Sequence, residues 1–118
     1  MHEMTVAHGL LTILTERAEA HRIVRITKIR LKIGRLRGIE ARQLRLAFEV
    51  LAEGSIAEGA PLEIDEAAAE ARCNACGTVW RLTDYRFECP SCQSADAEVL
   101  AGRELFIESF DGERDDAG

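Results

Sequence analysis

A chain of 118 residues, 47% hydrophobic and 31% charged, suits one small domain with a satellite and excludes wholesale disorder. No apolar run approaches the ~18 residues that cross a membrane, and Met1-His2-Glu3-Met4 lacks the basic start of a signal peptide, so the cytoplasm is expected. Lys and Arg outnumber Asp and Glu ten to five over residues 1–50 but trail them five to sixteen over 51–118, and that acidic half would repel a polyanion.

Met4 to about Ala20 carries Ala7, Leu10, Leu11, Leu14 and Ala18 at helical spacing, with Glu16, Arg17 and Glu19 left for water. Gly9 weakens that helix by about 1 kcal/mol relative to Ala, so periodicity rather than propensity predicts it. From Ile23 to Ile33, β-branched residues dominate, and Ile29, Leu31 and Ile33 alternate with Lys28, Arg30 and Lys32 as in a strand with one wet face. Val24 and Ile26 have the other parity, which points to a first half covered on both faces or to a bulge. Gly34 ends the strand. The basic residues Arg25, Lys28, Arg30, Lys32, Arg35 and Arg37 read as a solvated face, the alternative being a nucleic-acid stripe.

A second helix fits Glu40 to Glu53, with Leu44, Ala47, Phe48 and Leu51 on one side, before Gly54, Gly59 and Pro61 impose a loop. Leu62-Glu63-Ile64-Asp65 alternates as a strand. Residues 66–71 are helix formers, but Pro61 and Cys73 leave too little room for a stable helix, so the strand is expected to run to Arg72. Val99 to Phe110 returns to strand composition, and residues 111–118 form a charged, frayed tail. The fold class that follows is α+β: two helices on a sheet of about three strands, with the cysteine unit inserted as a rubredoxin-like zinc ribbon. The boundaries are 1–71 plus 97–110 for the first domain and 72–96 for the insert.

Cys73-Asn74-Ala75-Cys76 and Cys89-Pro90-Ser91-Cys92 are two C-x2-C pairs twelve residues apart. Two intervening residues let both thiolates of a pair reach one tetrahedral metal at about 2.3 Å. Gly77 supplies a close approach or a positive φ, Pro90 stiffens the second turn, and Val79–Leu82 with Tyr85–Phe87 would make a short hairpin between the pairs. Four protein ligands leave no place for substrate, so Cys73, Cys76, Cys89 and Cys92 are read as a structural zinc site. Paired disulfides, or iron as in a small electron carrier, are the alternatives.

Met1-His2-Glu3 has favourable chemistry for a second metal. The α-amine, the His2 amide nitrogen and His2 Nδ1 can form fused chelate rings in a plane, which suits Ni(II) or Cu(II). The Glu3 amide nitrogen or the Glu40 side chain could supply a fourth donor; the alternative is an exposed terminal histidine without a role. His8 reads as a surface or packing residue, and His21 sits near the helix end, where a cationic side chain favours the dipole. No nucleophile–base pair or phosphate loop is present in the sequence, so no enzyme is indicated.

Taken together, Met1-His2-Glu3, Leu31-Lys32-Ile33-Gly34, the Gly54–Ala60 segment with Leu62-Glu63-Ile64, and both cysteine pairs resemble the hydrogenase nickel-incorporation (HypA/HybF) family over about residues 1–110. The resemblance implies a metallochaperone that takes up Ni(II) at its N-terminus and passes it to the large subunit of a [NiFe] hydrogenase. It also implies a partner GTPase of the same pathway (HypB-like), and an α/β nickel domain joined to a zinc ribbon. By the same resemblance His2 is the nickel ligand, Met1 and Glu3 add backbone nitrogens, and Glu40 stands near the nickel. Some relatives carry a histidine beside a cysteine pair. Gly77 and Gln93 stand there in this chain, against any exchange of His for Cys on the zinc. The competing reading is a zinc-ribbon module that binds nucleic acid or a protein partner.

Overall fold

The computed structural model describes residues 3–83 and 87–115, in the order α1 (Glu3–Ala20), β1 (Ile23–Gly34), a 3-10 turn (Arg35–Arg37), α2 (Ala41–Ala52), β2 (Leu62–Ala67), β3 (Glu70–Cys73), β4 (Val79–Arg81), β5 (Ala97–Ala101) and β6 (Leu105–Arg114). The strands form two three-stranded sheets, β2-β1-β6 and β4-β3-β5.

Contact density divides the chain into two units. One holds the described residues up to Leu31, Ile39–Asp65 and those from Ile107 onward; the other holds Lys32–Gly38 and Glu66–Phe106. The division falls within β1, β2 and β6, away from the 71/72 and 96/97 boundaries read from the cysteine spacing.

In the first unit the helical periodicity is realised. Ala7, Leu10, Leu14 and Ala18 of α1 and Leu44, Ala47, Phe48 and Ala52 of α2 are buried and the two helices pack on each other; Ile26, Ile29 and Leu31 of β1 are buried as well. Burying a large aliphatic or aromatic side chain contributes about 1.5–3 kcal/mol, which suffices to hold Gly9 in a helix. Glu40 caps α2: its carboxylate accepts the Gln43 N–H at 2.8 Å.

Within β1, Ile29, Leu31 and Ile33 are buried as their alternation indicates, but Val24 is half exposed while Ile26 is fully buried. The phase of burial shifts between Ile26 and Ile29, so the first half is not covered on both faces. The basic residues are engaged locally. Lys28 pairs with Glu63 at 2.9 Å, Arg30 with Asp111 at 3.2 Å, and the Arg37 Nε donates to the Arg103 carbonyl at 2.7 Å. Asp111 lies below its ordinary carboxylate range because the Arg30 guanidinium hydrogen-bonds it. A face so committed to neighbouring acids is a poor phosphate track.

Two expectations about strands are corrected. The extended run from Leu62 is two strands, because the chain leaves one sheet at Ala67 and enters the other at Glu70. The run from Val99 likewise divides into β5 and β6 at Gly102, whose φ of +117° breaks the strand. β4 pairs with β3, Ala71 opposite Trp80; the hairpin expected between Val79–Leu82 and Tyr85–Phe87 falls on residues 84–86, which lie outside the described residues. The segment read as a tail is strand through Arg114, held by Arg30 on Asp111 and by the Asp115 N–H donating to the Arg22 carbonyl at 2.9 Å. Residues 116–118 lie outside the described residues.

In the second unit the core is small: Ala69, Ala71 and Leu82 are buried, with Leu36, Trp80 and Ala97 against them. Gly34 is needed for close approach. A Cβ there would stand 2.0 Å from the Gly102 carbonyl oxygen, where the Gly34 N–H donates to Glu104 O at 2.7 Å.

Candidate metal centre

Strand β3 ends on Cys73, and the chain then makes two turns of the same design. The Cys73 N–H donates to the Thr78 carbonyl at 2.8 Å and the Gly77 N–H to the Cys73 carbonyl at 2.9 Å; in the second turn the Cys89 N–H donates to Ser94 at 2.9 Å and the Gln93 N–H to Cys89 at 2.8 Å. Gly77 has φ +82° with open space around it, so its backbone angle is what the position demands, and Gln93 adopts the same region at +62°. Cys73 and Cys89 are buried and Cys76 and Cys92 exposed.

All four sulfurs lie within 4.8 Å of one another, with Cys73–Cys92 at 3.6 Å and Cys76–Cys89 at 3.5 Å. A tetrahedron with Zn–S of about 2.3 Å has edges of about 3.8 Å, whereas a disulfide needs about 2.05 Å. The spacing fits a tetrahedral metal and not paired disulfides. Backbone N–H groups already aim at the inner sulfurs, Ala75 at Cys73 (3.3 Å) and Ser91 at Cys89 (3.4 Å).

As bare thiols, Cys76, Cys89 and Cys92 diverge. The Thr78 hydroxyl and N–H draw Cys76 down to about 6. Burial opposes ionisation of Cys89, but N–H donors of Cys92 and Ser91 bring it below its usual value. Cys92 receives the Ser94 N–H, yet the Cys73 sulfur and burial push it up to about 12. Thiolates this close cannot all ionise unless a cation balances them. The donor set fits zinc, which would staple a unit in which, among the described residues, Ala69, Ala71 and Leu82 form a small buried cluster.

Of the N-terminal residues, Met1 and His2 lie outside the described residues. Glu3 opens α1, and its carboxylate accepts the Glu40 backbone N–H at 3.2 Å. The structure thus brings Glu3 and Glu40 together, with Glu40 also serving as the cap of α2. The capping role was missed, although Glu40 three residues ahead of Gln43 was a signal for it. Thr78 and Ser91, whose hydroxyls lie 3.2 Å apart beside Cys76, were also missed. The signal for Thr78 was the alignment of Cys-x2-Cys-Gly-Thr with Cys-x2-Cys-Gln-Ser, which sets it opposite Ser94; the sequence carried no such signal for Ser91.

A two-sheet α+β chain with paired four-cysteine turns defines a small metal-binding protein. Residues 1–112 match the profile of a family described as hydrogenase/urease nickel incorporation, metallochaperone, HypA, and the chain belongs to that family. The hydrogenase maturation factor HypA of Chlorobium limicola is 41% identical over 116 residues, covering 98% of this chain and all of its own length. That of Caldanaerobacter subterraneus subsp. tengcongensis is 36% identical over 114 residues, 96% of this chain and 100% of its own. The solution structure of the Ni metallochaperone HypA from Helicobacter pylori shares the fold, with a TM-score of 0.70 and 24% identity over 98% of this chain and 100% of the other. As a member of the family the chain is a nickel metallochaperone of hydrogenase maturation, and the nucleic-acid or partner-binding ribbon reading is not favoured. Among the described residues no helix is long and apolar enough to cross a membrane.

Proposed function

We propose that the chain carries Ni(II) as cargo on Met1-His2-Glu3 and keeps zinc on Cys73, Cys76, Cys89 and Cys92 as a structural staple. Nickel belongs to the unit of α1 and α2, and zinc to the unit of β3, β4 and β5. The observation that carries this reading is the family match, which runs from residue 1 through both cysteine pairs. The Met1 amine, the His2 amide nitrogen and His2 Nδ1 supply a planar nitrogen set, completed by the Glu3 amide nitrogen or Glu40. The Glu3 carboxylate supports it, because its bond to the Glu40 N–H ties the first turn of α1 to the start of α2.

Uptake releases protons from amine, amide and imidazole, so nickel affinity falls at acid pH. Copper binds nitrogen donors more strongly than nickel, so selectivity comes from supply and from the recipients. Those are a HypB-like GTPase of the same pathway and the large subunit of a [NiFe] hydrogenase, met in the cytoplasm. The chain acts there as carrier, not as enzyme. Met4, Leu46 and Val50, each at least half exposed, line an open groove that starts at Glu3 and suits a protein recipient.

Nickel calorimetry tests the site on untagged protein, on H2A and on protein extended ahead of Met1. Both changes should weaken binding by more than the ~10- to 100-fold that ligand-orienting groups alone contribute. Unchanged affinity in both variants refutes the assignment.

A further inference from the structure

The two cysteine turns share a backbone and differ at one hydroxyl. Thr78 and Ser94 hold equivalent places, each accepting the N–H of the buried cysteine five residues earlier. Each also gives its own backbone N–H to the exposed sulfur of its turn, Cys76 or Cys92. Their side chains go different ways. The Thr78 Oγ1 lies 3.1 Å from the Cys76 Sγ and 3.2 Å from the Ser91 Oγ. The Ser94 Oγ instead accepts the Asp96 N–H at 3.1 Å. Among the described residues, Cys76 is therefore the one sulfur of the four with a hydroxyl in reach, while the side-chain neighbour of Cys92 is the Cys73 sulfur.

A hydroxyl has one proton to give. The Thr78 hydroxyl is placed to donate to the Ser91 Oγ; with Cys76 as a metal-bound thiolate, the charge-assisted bond to sulfur takes the Thr78 proton instead, and the Ser91 hydroxyl turns to donate to the Thr78 oxygen. Ser91 so orients Thr78. A donor on a thiolate draws density from the sulfur lone pair and blunts it as a nucleophile. Cys92 is exposed as well and, among the described residues, lacks that hydroxyl donor.

We propose that Thr78 is a positioning residue of the zinc centre, its hydroxyl holding Cys76 on the metal, so that Cys92 is the sulfur through which the loaded centre first reacts with a soft carbon electrophile. With iodoacetamide, the Cys92 sulfur forms a bond to the methylene carbon, the carbon–iodine bond breaks and iodide leaves. The thioether that results is a weak zinc ligand, so the metal follows. This inference rests on the reading of the four cysteines as zinc ligands.

The test uses the zinc-loaded full chain, limited iodoacetamide, peptide mapping by mass spectrometry, and zinc release followed with a colorimetric chelator. Cys92 should be labelled about tenfold faster than Cys76, the ratio expected for one hydrogen bond to a charged group, and zinc release should track Cys92. T78V should raise the Cys76 rate toward that of Cys92, and T78S should restore the wild-type order. Should T78V fail to hold zinc, S91A gives the second arm, with a smaller rise at Cys76. Equal labelling of Cys76 and Cys92 in the wild type overturns the proposal, as does an unmoved ratio in T78V or, where that variant does not load, in S91A. The underlying reading fails separately: wild-type protein would then lack one tightly held zinc and, after cobalt substitution, the charge-transfer bands of four thiolates.

Discussion

Replacing Gly34 by Ala tests how tightly the second unit is built. The new Cβ would stand 2.0 Å from the Gly102 oxygen, 2.1 Å from its carbonyl carbon and 2.5 Å from the Arg103 nitrogen. All three are backbone atoms, so no rotamer change relieves the clash. Ordinary contact begins near 3.4 Å, and the two segments must part by about 1.4 Å, the difference between 3.4 and 2.0 Å. Such a movement breaks the Gly34 N–H to Glu104 bond of 2.7 Å and the Leu36 N–H to Gly102 bond of 2.8 Å. Overpacking costs about 1–3 kcal/mol, and two lost hydrogen bonds about 0.5–1.5 kcal/mol each, for a total of about 2–6 kcal/mol. That is a large share of the ~5–15 kcal/mol that holds a typical domain.

Urea unfolding in excess zinc, followed by the single tryptophan, is the assay, since Trp80 packs on the core of this same unit. Gly38→Ala is the control: its φ is +66° and a Cβ there meets nothing within 4 Å, so only the left-handed backbone is strained, at about 1–2 kcal/mol. A midpoint for G34A no lower than that of G38A would refute the reasoning.

Removing zinc with a strong chelator should melt the β4-β3-β5 sheet and leave α1 and α2 folded, read as lost Trp80 order with helical circular dichroism retained; equal loss of both signals would contradict this. Gly9→Ala should stabilise by about 1 kcal/mol, because the added methyl meets nothing within 4 Å, and thermal unfolding by circular dichroism reports it. Glu104 is held below its ordinary carboxylate range first by its own backbone N–H and then by that of Gly102. Its contribution is therefore complete above the unfolded value near ~4.3 and is lost as pH falls through the lower folded value. E104Q should flatten that acid limb in a pH series of urea midpoints, while the amide oxygen keeps an acceptor for Gly102.

Features that depend on near neighbours in the chain were legible before any coordinates. The α1 face of Ala7, Leu10, Leu14 and Ala18 follows from spacing of three and four, and α2 begins and ends where Glu40 and Glu53 suggest. The four cysteines meet because two residues between partners suffice to aim both sulfurs inward, and Gly77 holds its positive φ. Strand partners were not legible. Leu62–Cys73 reads as one extended run, and nothing local to Ala68 and Ala69 says that the chain changes sheets there. Asp111 reads as part of a solvated tail until Arg30, distant in sequence, is placed against it.

The sequence by itself therefore determined the helices, the two knuckles and the family to which the chain belongs, all carried by spacings within a turn or two or by residue order. Only the tertiary structure decided that the strands divide between two sheets, that Gly34 is demanded by the Gly102 backbone, that Glu3 reaches the start of α2, and that Thr78 guards one exposed sulfur and Ser94 does not. Those depend on which distant segments approach within hydrogen-bonding distance. Periodicity cannot encode that choice, because a strand's alternation names its buried face but not its neighbour.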